Sequence, residues 1–434
     1  MIRSPFFIVY CISILVLSFF VHQHDFAGIF TFYSLSFGGY FIYGFNVKQG
    51  QTIKTKWSLI IKSILIFAFP HASDDIFRFF WDGMATANGI SPYRFTPHEL
   101  VQNQLISTDP SIFNLLNSKE YYSVYPPVLQ FFFLICYWVS FKSIFLFSIF
   151  WKLILLVADY VSLEYLTKWI GKKNKLIYWY AFNPLILFEV FANGHPEGLL
   201  LSVLVITFYW FQKDKKILYA TGLALSASIK LFPIALFPFL FKNRIVKDFL
   251  MYGFLTGLVF LITLLPIYPY HLQFFKSIRL YFSIFEFNGS VFEIWKWIDF
   301  QRFGFDNVRH ISSYLSLIVV IIGTIIFFKQ KGAPVKNVLD SMFWFWFMYL
   351  ICNTTVHPWY VLPILLLGLL NNKVFALVWS YSIIFSYSWY DEYWSNYKYW
   401  IIMLEYSLVL TFFLLEKKPF FIKYKNLLGL EASA

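Results

Sequence analysis

Residues able to do chemistry are scarce in this chain, and they fall in short clusters. "SDDIFRFFWDG" sets Asp74, Asp75, Arg78 and Asp82 just after an apolar run. "NGHPEG" carries His195 and Glu197, "NTTVHPWY" carries His357, and Lys230 stands inside the apolar "ALSASIKLFPIALFP". Carboxylates in company with arginine, lysine and histidine suit transfer from a lipid phosphate. The leaving phosphate needs cationic stabilisation, and an acceptor hydroxyl needs a general base. Plainer roles compete. Ser73 or Asp74 can cap a helix whose dipole favours Asp75, a histidine before a proline often serves a local hydrogen bond, and Lys230 can snorkel or sit in a structural ion pair. A lysine at membrane depth is still a functional candidate by default, because burying it is expensive.

These clusters have to be held by apolar elements. Of 434 residues, 59% are hydrophobic, 24% aromatic and only 13% charged, with a mean hydropathy of +0.62, which describes an all-α, polytopic integral membrane protein without a sizeable soluble domain. Hydrophobic runs predict twelve transmembrane helices near 5–21, 27–45, 57–70, 143–166, 176–192, 198–211, 249–267, 311–328, 339–352, 359–371, 374–389 and 397–415, each close to the ~20 residues a crossing needs. Two further apolar stretches are interrupted, 126–140 by Pro126-Pro127 and 217–241 by Lys230, Pro233 and Pro238. Both are expected to be broken or re-entrant segments lining a cavity.

Sidedness follows from the lysines. With both stretches re-entrant, the clusters around Lys48–Lys56, Lys168–Lys175, Lys213–Lys216, Lys242–Lys247, Lys329–Lys336 and Lys417–Lys425 all lie on one side, which the positive-inside rule makes cytoplasmic. The opposite face receives the loops 71–125 and 268–310 and both histidine-bearing connections. Phe77, Phe80 and Trp81 share one face of a helix and predict an amphipathic element lying at the membrane interface, aromatic side down.

Several classes of function drop out. The net charge of +12 belongs to loop lysines and not to a nucleic-acid surface. Cys11, Cys136 and Cys352 lie in apolar segments without metal-ligand spacing. Neither a Walker loop nor a dinucleotide fingerprint is present, so an activated sugar would have to arrive attached to lipid. The N-terminal run reads as a retained helix, and the closing "EASA" as an unstructured end. A transporter or flippase for a lipid-linked or anionic solute is the main competing class. It would expose its polar residues to both faces, and the inverted repeats of many transporters are missing here. A non-catalytic scaffold of the same fold is a further alternative.

"DDIFRFFWDGMATANGISPYRF", "YPPVLQFF", "YAFNPLILFEVFANGHPEGLLL", "ALSASIKLFPIALFP" and "HPWYVLPILLL", in that order over about residues 70–365, resemble the polyprenyl-phosphate-sugar-dependent glycosyltransferases of the GT-C fold. The likeness is to their bacterial mannosyltransferase-like members and, more distantly, to the catalytic subunit of the GPI mannosyltransferase. It implies a GT-C-like enzyme of the bacterial inner membrane, transferring a hexose, most often mannose, on the extracytoplasmic face. The family's Asp-aliphatic-aromatic-basic pattern falls on Asp75-Ile76-Phe77-Arg78, which makes Asp75 the catalytic base with Asp74 as its alternate. Arg78, Lys230 and His357 are implied as donor phosphate-binding, and Arg94, Tyr125, His195, Glu197 and Trp359 as substrate-binding. Where relatives often carry Asn-Asp, this chain has Pro196-Glu197, a carboxylate one methylene longer. Asp82, two turns along the helix, is expected to fix the loop. No metal or other cofactor is expected, although paired Asp74 and Asp75 leave a divalent metal possible. The partners implied are the lipid-linked sugar donor, a glycan, glycolipid or protein acceptor, and membrane lipids, with the chain acting as a monomer.

Overall fold

A computed structural model describes residues 4–48, 50–106, 110–242, 244–305, 307–332 and 335–429. The closing "EASA" lies outside them. Among the described residues the chain is helical from end to end, without a strand, and the only extended pairing joins Phe287 and Asn288 to Thr355. All twelve apolar runs are helical, and both long loops contain helices of their own, including Asp75–Ala87 in the first and His271–Ile284 and Val291–Phe303 in the second. Among the described residues four helical stretches are long and apolar enough to cross a membrane, Ile144–Ile170, Val246–Leu280, Val308–Lys329 and Trp394–Leu415. The other expected crossings fall on shorter, broken or less apolar helices, so length and composition support four spans and not twelve.

The breaks have visible partners. In 176–192 the helix stops at Asn183-Pro184 and resumes into a π-turn over Leu187–Ala192. The Tyr40 hydroxyl donates to the Trp179 carbonyl at 2.6 Å, Ser58 to Ala181 at 2.6 Å and Tyr10 to Phe182 at 2.8 Å. Carbonyls loosened by the proline thus find buried donors, which is what an interruption inside an apolar bundle requires. Residues 217–241 are broken as expected. Lys216–Ile229 ends where Lys230 turns extended, and two short helices, Phe232–Leu236 and Phe237–Phe241, run back, so that Tyr219 and Phe241 meet at 5.0 Å and Arg244 pairs with Asp214.

Two expectations fail. Residues 126–140 do not dip and return, because Pro127–Val139 is one unbroken helix with Pro127 at its first position, a place where proline starts a helix instead of interrupting it. Nor is Asp75–Ala87 an interfacial helix with its aromatics in lipid. Phe77, Phe80 and Trp81 are all buried in the protein core, Phe80 against Tyr137 and Phe147 and Trp81 against Phe113. The loop folds back over this helix, and apolar residues facing outward nearby include Phe131, Trp138 and Phe141 instead.

The lysine-bearing connections gather at one end of the molecule. The Ile53 amide donates to the Lys172 carbonyl at 3.1 Å, Trp179 to Leu428 at 2.7 Å, and Lys242 to the carbonyls of Phe328 and Gln330 at 2.9 Å each. At the other end Gln23 donates to His71 at 3.0 Å and Phe287 to Thr354 at 3.1 Å.

Candidate active site

The acidic loop, both histidine connections and the break at Lys230 converge on one cavity of about 510 Å³. Asp74, Asp75, Arg78, Tyr125, Glu197, Lys230, His357 and Trp359 line it. His195 lies directly behind, fully buried. Arg94 is not brought there: it is exposed, with its guanidinium over Phe95 at 4.9 Å.

Asp75 opens the helix Asp75–Ala87, and neither acidic side chain caps it. Asp74 makes no capping bond, and the Asp75 amide donates to Ser73 Oγ at 3.3 Å. The Asp75 carboxylate is left for the cavity. It accepts from the Tyr125 hydroxyl at 3.3 Å and faces His195 Nδ1 at 3.7 Å. Burial, followed by the neighbouring Glu197 and Asp74 charges, raises its pKa to about 6, while Tyr125 and Lys230 pull the other way. Asp74 is likewise raised by burial, against the nearby His24.

His195 is aimed by its surroundings. Gly194 turns left-handed at φ +80°, where a Cβ would meet the Trp151 ring at 3.3 Å, and the Trp151 indole holds the Gly194 carbonyl at 2.6 Å. The imidazole stacks on Trp359 with centroids 3.6 Å apart, Trp359 stacks on His357 at 4.4 Å, and His357 on Phe287 at 4.5 Å. Among the described residues neither His195 nitrogen has a hydrogen-bond partner, although Nε2 stands 3.3 Å from Glu189 Oε2. Leaving such groups unmet in a core costs ~1–3 kcal/mol each, a cost more typical of a working site than of packing. Burial, then His357 and Lys230, hold His195 well below the ordinary imidazole pKa. His357 is pushed down to about 3 by burial and by Lys230. Both rings are therefore neutral at physiological pH, and His357 offers a hydrogen bond and not a charge.

The Lys230 ammonium pairs with Glu197 and lies over the Tyr360 ring at 3.7 Å. Arg78 lines the cavity, but its described bonds hold the loop: Nε to Asp82 at 2.8 Å, and Nη1 to the carbonyls of Ser118 at 2.9 Å and Tyr121 at 3.0 Å. Asp82, fully buried, also accepts from Ser123 at 2.6 Å and Gln130 at 2.9 Å, the loop-fixing role expected of it.

Three residues near the site had not been picked out from the sequence. Glu189, in "FEVF", accepts from Tyr387 at 3.0 Å behind His195. A lone carboxylate inside an apolar run was its available signal. Lys152 donates to the Ala192 carbonyl at 3.3 Å and to that of Ala68. Tyr360, under Lys230, carried no signal beyond its place in "HPWY". Among the described residues no group of three or more metal-ligating side chains could hold a metal ion.

Comparison with curated proteins and with solved structures gave no match. A family model does match, over residues 40–244: that of the alpha-(1->6)-mannopyranosyltransferase N-terminal domain. The span contains Asp75, His195, Glu197 and Lys230 and ends before His357. Across just under half its length, the chain is therefore similar to this mannosyltransferase family, which bears out the resemblance to bacterial mannosyltransferase-like glycosyltransferases.

Proposed function

We propose that this chain is an integral membrane mannosyltransferase of GT-C type. It takes mannose from a polyprenyl phosphate on the extracytoplasmic face of a bacterial inner membrane and transfers it to a hydroxyl of a glycan, glycolipid or protein, acting as a monomer and without a metal. Asp75 removes the acceptor's proton as the acceptor oxygen bonds to the anomeric carbon. The bond from that carbon to the phosphate oxygen breaks on the opposite side, and its electron pair leaves with the lipid phosphate. Lys230 supplies positive charge to that phosphate and His357 a neutral N–H. Tyr125 steadies the Asp75 carboxylate, Trp359 holds His195 against it, and Arg78 keeps the 118–125 loop closed over the site.

The observation that carries this reading is Asp75 itself, a carboxylate free of capping duty, facing a 510 Å³ cavity that also contains Lys230 and titrating near pH 6, where a general base works best. Asp75→Asn should insert and fold as the parent does and lose ~10²–10⁴ in transfer rate, measured with a defined mannosyl polyprenyl phosphate and acceptor. Parent-level turnover in that variant would sink the assignment.

A further inference from the structure

The cavity holds more acid than a phosphate should tolerate. Asp74, Asp75, Glu197 and Glu286 line it, against Lys230 and Arg78. Arg78 is engaged with Asp82 and two loop carbonyls, and Glu286 is paired with Lys296. Among the described residues Lys230 is the remaining cation of the wall, and Glu197 is already on it. The pair is lopsided. The Lys230 side chain is 37% exposed while that of Glu197 is 3% exposed, and the second Glu197 oxygen, Oε2, is buried without a hydrogen-bond partner among the described residues. Glu197 opens its helix right after Pro196, so its backbone is fixed and only the side chain can swing, whereas Lys230 sits in extended backbone between two helices.

We infer that Glu197 stands in for the donor phosphate on Lys230 and is a positioning residue: the incoming phosphate displaces its carboxylate, whose charge then acts on Asp75. This rests on the reading of Lys230 as the phosphate partner. A carboxylate and a phosphate oxyanion compete for the same ammonium, and the longer glutamate reaches it from a helix start where an aspartate would fall short by one methylene. Once released, Glu197 has Asp75 and Glu189 as its titratable neighbours. The groups facing Asp75 from the packed elements are Asp74, Tyr125, Glu189, His195, Glu197 and Lys230, and of these Glu197 and Asp74 raise its proton affinity while Lys230 lowers it. Swapping Lys230 from Glu197 to phosphate therefore strengthens the base when the donor is seated.

Binding of geranylgeranyl phosphate to the purified full-length protein in detergent tests this. Glu197→Gln removes the competitor and should tighten binding about tenfold, with Glu197→Asp between it and the parent, whereas Lys230→Gln should weaken binding by a similar factor. The Glu197→Gln enzyme should also show the acid limb of its kcat profile at lower pH, a change that mere loss of packing would not produce. If Lys230→Gln binds as the parent does, the phosphate role of Lys230 is itself wrong. If Lys230→Gln weakens binding but Glu197→Gln and Glu197→Asp do not strengthen it, the phosphate role stands and the stand-in role of Glu197 is overturned.

Discussion

As the proposed base, Asp75 is held at a compromise between two demands. A base must be ionised to accept a proton, yet a carboxylate of ordinary pKa is a poor acceptor, and burial together with Glu197 and Asp74 brings this one to about 6. The sign of the pH effect follows. Above pH 6 the carboxylate is charged and competent, and below it protonation removes about tenfold in rate per pH unit. The acid limb of kcat/KM should therefore have its midpoint near pH 6, and Asp74→Asn, by removing one of the charges that raise the pKa, should move it to lower pH. A rate profile flat down to pH 4.5 would exclude Asp75 as the base. His357, pushed down to about 3, stays neutral across this window and contributes no limb of its own.

Secondary-structure elements bring Asp75 and His195 together through the places where helices stop. Lys152, buried in the helix Ile144–Ile170, donates to the Ala192 carbonyl at 3.3 Å and to Ala68. The first carbonyl ends the π-turn before Gly194-His195, and the second precedes Asp74-Asp75 by a few residues. An ammonium at two such ends satisfies carbonyls that no amide can reach. Lys152→Met would leave both buried without a donor at ~1–3 kcal/mol each. The expected outcome is a lower Tm in detergent together with a kcat loss greater than the rise in KM, checked by thermal unfolding and steady-state assay. Much of the site was legible because each of its residues punctuates an apolar run: Asp75, His195, Glu197, Lys230 and His357 are visible as polar letters among Phe, Leu and Ile. Lys152 and Glu189 were not read the same way, since what makes them matter is which groups they meet, the Ala68 carbonyl across 84 residues in one case and the Tyr387 hydroxyl across 198 in the other. The burial of Phe77, Phe80 and Trp81 escaped for a related reason. Helical spacing shows that they share a face but not whether lipid or protein covers it.

For the whole molecule, what matters is that the two ends differ in chemistry. Contacts between Ile53 and Lys172, between Trp179 and Leu428 and between Lys242 and Gln330 tie lysine-bearing connections to one another, while the cavity with Asp75 and Lys230 belongs to segments that meet at the opposite end. In the proposed function the lysine-rich connections stay cytoplasmic, because moving them across the bilayer is disfavoured, and the cavity end faces outside, where a lipid-linked sugar would be used. The unbroken helix Pro127–Val139 keeps to this arrangement by lying along Asp75–Ala87, where Phe79 and Phe133 stack at 4.7 Å, so it need not count as a crossing. Sidedness is therefore a sharp test. Glu120→Cys and Lys173→Cys place a thiol at an exposed position of each end, and the native Cys136 and Cys352 are buried with Cys11 half-buried, which keeps background labelling low. In intact spheroplasts a membrane-impermeant maleimide should label Glu120→Cys and spare Lys173→Cys until the membrane is opened. Labelling of Lys173→Cys alone would place the cavity on the cytoplasmic side and exclude an extracytoplasmic transferase, and labelling of both from outside would overturn the assignment of the two ends to opposite sides of the membrane.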